Sequence, residues 1–362
     1  MRYFLAAGEA SVDLHASELS EQIKRRDTEA EFTFLGGDLM EKAAGVKPLI
    51  HYRDMAFMGF SEVLRNLSKI FGNLRRAKQG ISESAPDRVI LVDYPSFNLK
   101  LAQYAHQRGI RVDYYISPKI WAWKSWRIKK IRRYVSRMLS ILPFEPEWYA
   151  RHGFEATYVG NPSVEEIDRR LESLPSEARQ RRRMLLLVPG SRVGEIRNNL
   201  PIMDAVARQF SDYEVIVAGA PGIAPDLYEK YTTYTVVTGR TFELMAQATA
   251  ALVTSGTATL ECALAGTPQV VCYRANGSKL SYDLFKHILS VPYVSLPNLI
   301  TGKPVVHEAL LHLCTPEIVA TQLREVLPGA PGHQRQLDGY AEMRRLLGPA
   351  GAASRAADII TS

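Results

Sequence analysis

Cysteine is scarce in this chain: three occur in 362 residues, Cys262, Cys272 and Cys314, with no C-x-x-C pair and no histidine cluster beside them. This argues against a disulfide-built scaffold and a cysteine zinc site, and fits a reducing compartment. Long apolar runs are also missing. No stretch approaches the ~20 apolar residues of a membrane-spanning helix, so any meeting with a membrane is expected at its surface. The opening run Met1 to Ala7 is too short for a signal peptide and soon meets Glu9, so it reads as a first strand. No internal repeat or low-complexity tract stands out. Acid is the minority charge, with 38 Asp+Glu against 45 Lys+Arg and a net charge of +7. That balance points to an anionic partner or surface. Apolar residues, by contrast, are plentiful at 46%, and the length is long for one α/β core and comfortable for two.

Short Val-, Ile- and Leu-rich runs alternate with amphipathic stretches along the whole chain. Strands are expected at 3–7, 32–35, 88–92, 112–116 and 137–141, then at 184–188, 214–218, 234–237, 250–253 and 269–273. Such a rhythm predicts parallel sheets covered by helices on both faces, hence an α/β protein of two Rossmann-like domains. The charged, strandless stretch after Val164 divides them. We expect a first domain over 1–165, a linker over 166–183, a second domain over 184–338, and a helical tail over 339–362 that packs on the first domain or on a partner chain.

Two strand-to-helix junctions in the second half carry the strongest chemical signal. In Val188-Pro189-Gly190-Ser191-Arg192 and Ser255-Gly256-Thr257-Ala258-Thr259-Leu260-Glu261 an apolar strand stops at small residues and hands over to a helix. The N–H groups of a first helical turn, backed by the helix dipole, seat phosphate. Arg192 adds a forked cation suited to a diphosphate. Glu261, about one turn into its helix, can accept from the two hydroxyls of a ribose. The same residues also make ordinary tight turns with an exposed arginine and a solvated glutamate, and it is the pair that points to a sugar nucleotide.

In the first half, Gly8-Glu9-Ala10-Ser11 puts another helix start at the carboxyl edge of a sheet, where ligands bind in doubly wound folds. Ser11 could equally be a plain N-cap. Asp93 ends the apolar strand 89–92 and opens the turn Asp93-Tyr94-Pro95-Ser96-Phe97-Asn98. Facing an interdomain cleft and partly buried, it could take a proton from a hydroxyl nucleophile; its bland role is to hold the turn. The segment 117–134 holds Trp121, Trp123 and Trp126 among Lys129, Lys130, Arg132, Arg133 and further cations, with no acid between Asp113 and Glu145. Aromatics interleaved with cations suit a phospholipid headgroup layer, a single-stranded nucleic acid, or a tryptophan cluster beside a solvated helix. Phe57 and Phe60 begin a second amphipathic stretch, which fits a core helix or a surface that receives acyl chains.

Taken together, the motifs resemble the lipid-A-disaccharide synthases, a bacterial family of GT-B glycosyltransferases. Gly8-Glu9-Ala10-Ser11, Met58-Gly59-Phe60-Ser61-Glu62-Val63, Ser117-Pro118-Lys119-Ile120-Trp121-Ala122-Trp123, Leu142-Pro143-Phe144-Glu145, Pro189-Gly190-Ser191-Arg192, the Ser255 to Glu261 junction and Tyr293-Val294-Ser295-Leu296-Pro297-Asn298-Leu299 occur in that family's order. The resemblance implies two Rossmann-like domains facing a cleft. It also implies transfer of 2,3-diacylglucosamine from its UDP derivative to the 6-hydroxyl of 2,3-diacylglucosamine 1-phosphate, with inversion, giving the β-1,6 disaccharide 1-phosphate and UDP. By the same resemblance Asp93 and Glu9 are catalytic, Asp93 as general base, and Ser11 and Asn98 line the acceptor side. Gly190, Ser191, Arg192, Ser255, Gly256, Thr257, Glu261 and Asn298 hold the donor. Trp121, Trp123, Trp126, Lys129, Lys130, Arg132, Arg133, Phe57 and Phe60 meet the membrane, on the inner face of the bacterial inner membrane.

No cofactor and no metal are expected, since helix N-termini and an arginine can stabilise departing UDP and no D-x-D pair is present. Neither is a nucleic-acid partner; a homodimer is admitted. Ser96 stands where many relatives carry a second aspartate, and Asn161 where histidine is frequent. Two competing readings are a UDP-sugar 2-epimerase, which has no use for a lipid-facing segment, and a nucleic-acid-binding protein, which leaves Arg192 and Glu261 without a task.

Overall fold

The computed structural model describes residues 1–55, 67–274 and 291–362. The chain divides into two compact units, Met1–Pro162 with Ala350–Ser362, and Ser163–Pro349. In the first unit seven strands run Arg2–Ala7 (β1), Glu31–Gly36 (β2), Ile50–His51 (β3), Arg88–Val92 (β4), Arg111–Tyr115 (β5), Arg137–Ser140 (β6) and Ala156–Tyr158 (β7). They form one sheet in the order β3-β2-β1-β4-β5-β6-β7. Every pairing is parallel. The second unit carries Arg182–Val188 (β8), Glu214–Gly219 (β9), Thr235–Thr238 (β10), Ala248–Thr254 (β11), Gln269–Tyr273 (β12) and His307–Leu310 (β13), in the order β10-β9-β8-β11-β12-β13 and again all parallel.

The central strands are the ones with unbroken apolar runs. β4 is buried from end to end, and five residues of β1 are buried after Arg2. A strand covered on both faces needs no polar side, and so loses the alternation that marks a half-exposed strand. The three strands that the sequence does not announce, β3, β7 and β13, all lie at sheet edges. There a strand is short and only half covered, so its sequence is mixed: Ala156–Tyr158 buries one residue of three.

The helix Ala10–Arg26 buries Val12, Ala16, Leu19 and Ile23 at intervals of three and four. The last helix, Ala352–Thr361, joins that cluster with Ala356, Ala357 and Ile360. Arg26 fastens it through Asp358 Oδ1 at 2.6 Å and Ser354 Oγ at 2.7 Å. The preceding helix, Pro331–Leu347, stays with the second unit. There Tyr340 donates to the Thr267 carbonyl at 3.1 Å. The charged stretch 166–183 lies within the helix Pro162–Ser173, a short turn at Glu177–Arg179 and the start of β8.

Candidate functional site

In the first unit, β1 and β4 are neighbours, and their flanks mark the place where the strand order reverses. Register pairs Ala7 with Val92, so Gly8-Glu9 and Asp93 leave the sheet side by side at its carboxyl edge. Open parallel sheets bind ligands at that point. Asp93 and Tyr94 both adopt left-handed backbone, with φ of +44° and +46°. For residues other than glycine each such conformation costs on the order of 1–3 kcal/mol, so the surroundings must impose it. They do so by polar ties. Asn98 Nδ2 donates to the Asp93 carbonyl at 2.9 Å and to Val92 O at 3.1 Å, and the Tyr114 hydroxyl donates to the same Asp93 carbonyl. Tyr94 OH is anchored on Met55 O at 2.9 Å. Its ring lies so close to Gly8 that a Cβ there would fall 2.5 Å from Tyr94 Cδ1. The glycine is thus a packing requirement of the Asp93 corner.

The outcome is a carboxylate with altered acidity. Burial pushes Asp93 up to about 6; neighbouring Glu9 adds to the shift, while Lys119 opposes it. A general base works best when its pKa lies close to the working pH. Glu9 is half-buried at the N-cap of the helix Ala10–Arg26, where its side chain makes no capping bond, and Ser11 is exposed on the first turn. Asn98 needs correction: it is fully buried and its amide is spent on backbone carbonyls, so it supports Asp93 and does not line the acceptor side. Ser96 accepts from Arg127 Nη2 at 2.9 Å. Asn161 is buried and donates to Ile141 O at 3.1 Å.

The tryptophan-rich segment divides in two. Trp121 is 3% exposed, donates its indole N–H to Glu145 Oε1 at 2.9 Å and packs edge-on against Phe144. Its expected membrane contact is therefore wrong: a buried carboxylate recruits the nearest donors, and the indole is one of them. Glu145 also accepts from Ser117 Oγ at 2.8 Å and Leu142 N at 3.1 Å, and burial still pushes it up to about 7. It holds the ends of the loop that carries Lys119. Trp123 and Trp126 remain 49% and 59% exposed, with the cations of Lys124 and Arg127 over their rings. Arg127 reaches Ser96, one turn before Lys100, whose ammonium covers the ring of Phe71. These pairs set exposed aromatics beside cations in this part of the unit. Lys129, Lys130, Arg132 and Arg133 are exposed, while Ile128 and Ile131 turn inward. Phe57 and Phe60 lie outside the described residues.

In the second unit β8 and β11 flank the strand-order reversal, and register pairs Val188 with Val253. Both glycine junctions therefore leave one sheet edge on adjacent strands, about 5 Å apart. At the first, Gly190 takes φ +113°, Arg192 is the N-cap of the helix Val193–Ala207, and Ser191 and Arg192 are exposed. Glu195 folds back over this loop and accepts from it. At the second, Gly256, which has no side chain to cap with, is the N-cap of the helix Thr257–Leu264. Ser255 Oγ donates to Val294 O at 3.1 Å, Thr257 is exposed, and Glu261 is half-buried one turn along.

Asn298 is corrected too. It is 1% exposed, exchanges bonds with Val306 N and O, and donates to Glu308 Oε1 at 2.9 Å. Glu308 also gathers Val294 N, Ser295 N and Ser295 Oγ. The amide of Asn298 therefore shapes the 293–298 turn beside Ser255 and is not turned toward the donor.

Sequence reading does not mark Glu195 or Glu308, and it includes Lys119 and Glu145 only as members of quoted motifs, with no role. Glu195 does leave a local signal, a glutamate three residues after an N-cap, the spacing of a capping box. Among the described residues no group of three or more His, Cys, Asp or Glu is placed to hold a metal ion, and no helix is long and apolar enough to cross a membrane.

A family model described as lipid-A-disaccharide synthetase matches residues 3–356. The lipid-A-disaccharide synthase of Myxococcus xanthus is 40% identical over 377 residues, spanning 99% of this chain and 96% of its own. That of Acidobacterium capsulatum is 35% identical over 374 residues, covering 97% and 93%. Among solved structures, the UDP-GlcNAc 2-epimerase of Methanocaldococcus jannaschii, in complex with UDP-GlcNAc and UDP, aligns with a TM-score of 0.66 over 100% of this chain and 99% of its own. At 12% identity that likeness shows the fold alone.

Proposed function

The chain belongs to the lipid-A-disaccharide synthetase family and is a UDP-sugar-dependent glycosyltransferase that makes the lipid A disaccharide; on that premise we propose how its residues divide the work. The reaction moves 2,3-diacylglucosamine from UDP to the 6-hydroxyl of 2,3-diacylglucosamine 1-phosphate. Asp93 takes the proton of that hydroxyl as its oxygen bonds to the anomeric carbon, from the face opposite the nucleotide, which inverts the centre. The C1–oxygen bond to UDP breaks, and its electron pair leaves on the diphosphate. Arg192 and the first-turn amides of the helix Thr257–Leu264 meet that growing charge, which no longer has to wait on solvent reorganisation. Glu261 accepts from the ribose hydroxyls. Burial keeps the Asp93 carboxyl basic, and Glu9 beside it adds to that shift.

One observation carries this assignment: in each sheet, the two strands flanking the order reversal end in the residues that the chemistry requires. We place the enzyme on the inner face of the bacterial inner membrane, docked through Trp123, Trp126, Phe71 and the cations around them. Indoles settle at headgroup depth while lysine and arginine bind lipid phosphates, and both substrates carry acyl chains. The decisive assay is UDP release from UDP-2,3-diacylglucosamine in mixed micelles, with and without the acceptor. Release that depends on acceptor and yields a disaccharide supports the reading. UDP binding without transfer would remove the roles of Asp93 and the acceptor side.

A further inference from the structure

The first glycine junction already holds an anion of its own. Glu195, in the first turn of the helix Val193–Ala207, accepts through Oε2 from the backbone N–H of Ser191 at 3.0 Å and of Arg192 at 3.3 Å. Its Oε1 takes the Arg192 guanidinium at 3.0 Å. The guanidinium is the cation that the proposed donor site turns toward a diphosphate, and the two amides are the donors this junction would add to it. Gly190 makes the fold-back sterically feasible, because a Cβ there would stand 2.5 Å from Glu195 Oε2 and 2.6 Å from Glu195 Cβ. At the neighbouring junction a Cβ on Gly256 would meet nothing within 4 Å among the described residues. With 22% of its side chain exposed, Glu195 can rotate into solvent without unpacking the core beneath.

We infer that Glu195 is an internal competitor for the UDP diphosphate, and so sets how tightly the nucleotide binds and how fast it leaves. This rests on the donor-site reading above. A carboxylate and a diphosphate cannot share three donors, because like charges at contact distance repel. Binding must therefore displace Glu195, and the fraction of molecules with the carboxylate swung away scales the apparent affinity. Once the sugar has been transferred, the returning carboxylate recaptures Ser191 N, Arg192 N and the guanidinium. It weakens the hold on UDP at the moment when product must go.

The test is UDP titration by calorimetry, with UDP release followed by stopped flow, on wild type, Glu195→Gln, Glu195→Asp and Arg192→Ala. Glutamine still serves a capping box but carries no charge, so the Kd for UDP is expected to fall roughly tenfold and release to slow in proportion. Aspartate keeps the charge but is one methylene short, and should tighten UDP by a smaller factor. Should Glu195→Gln fail to fold, the aspartate variant decides. If neither variant binds UDP more tightly while Arg192→Ala still weakens it, Glu195 is a helix cap and the inference falls. If Arg192→Ala leaves UDP affinity unchanged, the donor assignment at this junction falls instead.

Discussion

The two sheets end alike and differ in what they present. Each is parallel, each reverses its strand order between two neighbours, and each puts a strand-to-helix turn on both of those strands. The edge of the first unit offers carboxyls, Asp93 in a strained left-handed corner with Glu9 beside it. The second unit's edge carries backbone amides after Gly190 and Gly256 and the Arg192 cation, those of the first junction being held by Glu195. One architecture thus makes an edge that we propose takes a proton and an edge that we propose holds an anion. The difference lies in a few side chains at the strand ends. A small residue leaves amides accessible, whereas a partly buried carboxylate with a like charge beside it becomes basic.

If the division is real, each edge can be damaged without the other. Asp93→Asn should lower turnover by roughly 10²- to 10⁴-fold, the usual toll of a lost general base, with UDP affinity unchanged in calorimetry. A large loss of UDP binding would break the comparison. In the wild type, kcat/KM should rise with pH through about 6, where Asp93 ionises, and level off above it. Arg192→Ala should do the reverse, weakening UDP by roughly 10- to 100-fold, since a hydrogen bond from a charged group contributes about 1.5–3 kcal/mol.

A smaller effect sharpens the contrast through stability. Because folding raises the Asp93 pKa, the ionised form is penalised in the folded state, so stability falls as pH climbs from the ordinary carboxylate range through about 6. Asp93→Asn should then be the more stable protein at pH 8, by on the order of 2 kcal/mol. Thermal melts should show that gap closing toward pH 4. An Asp93→Asn protein that gains nothing at pH 8 would mean the carboxylate is better solvated than its position suggests. The smallest change is expected from Lys129→Gln, about 1 kcal/mol per cation at an anionic surface, or roughly fivefold in binding to anionic vesicles at low salt. UDP affinity should not move. Unchanged vesicle binding would detach this helix from the membrane role.

Much of this was legible in the chain. Nine interior strands stand out because a strand buried on both faces is largely apolar, as in Val89-Ile90-Leu91-Val92, and the edge strand β10 shows only through Val236-Val237. The glycine junctions and the strand-end aspartate could be read for a similar reason: small residues between a strand and a helix, and an acid just past a strand, are local patterns. The edge strands β3, β7 and β13 could not be, since half-covered strands carry mixed sequence. Nor could the sequence separate Trp121 from Trp123 and Trp126.

Composition, spacing and order alone therefore determined that the chain builds two parallel α/β units, and placed glycine junctions at strand ends in the second and an aspartate at a strand end in the first. Tertiary structure decided which polar groups are free to act. Asn98, Asn298 and Trp121 look like ligand or membrane contacts in the sequence, yet each is drawn inward to satisfy a buried carbonyl or carboxylate. Glu195 shows in the sequence only the spacing of a capping box, yet it gathers two loop amides and the Arg192 guanidinium. A buried polar group must find a partner, and which partner lies within reach is fixed by residues distant in sequence, as with Trp121 and Glu145.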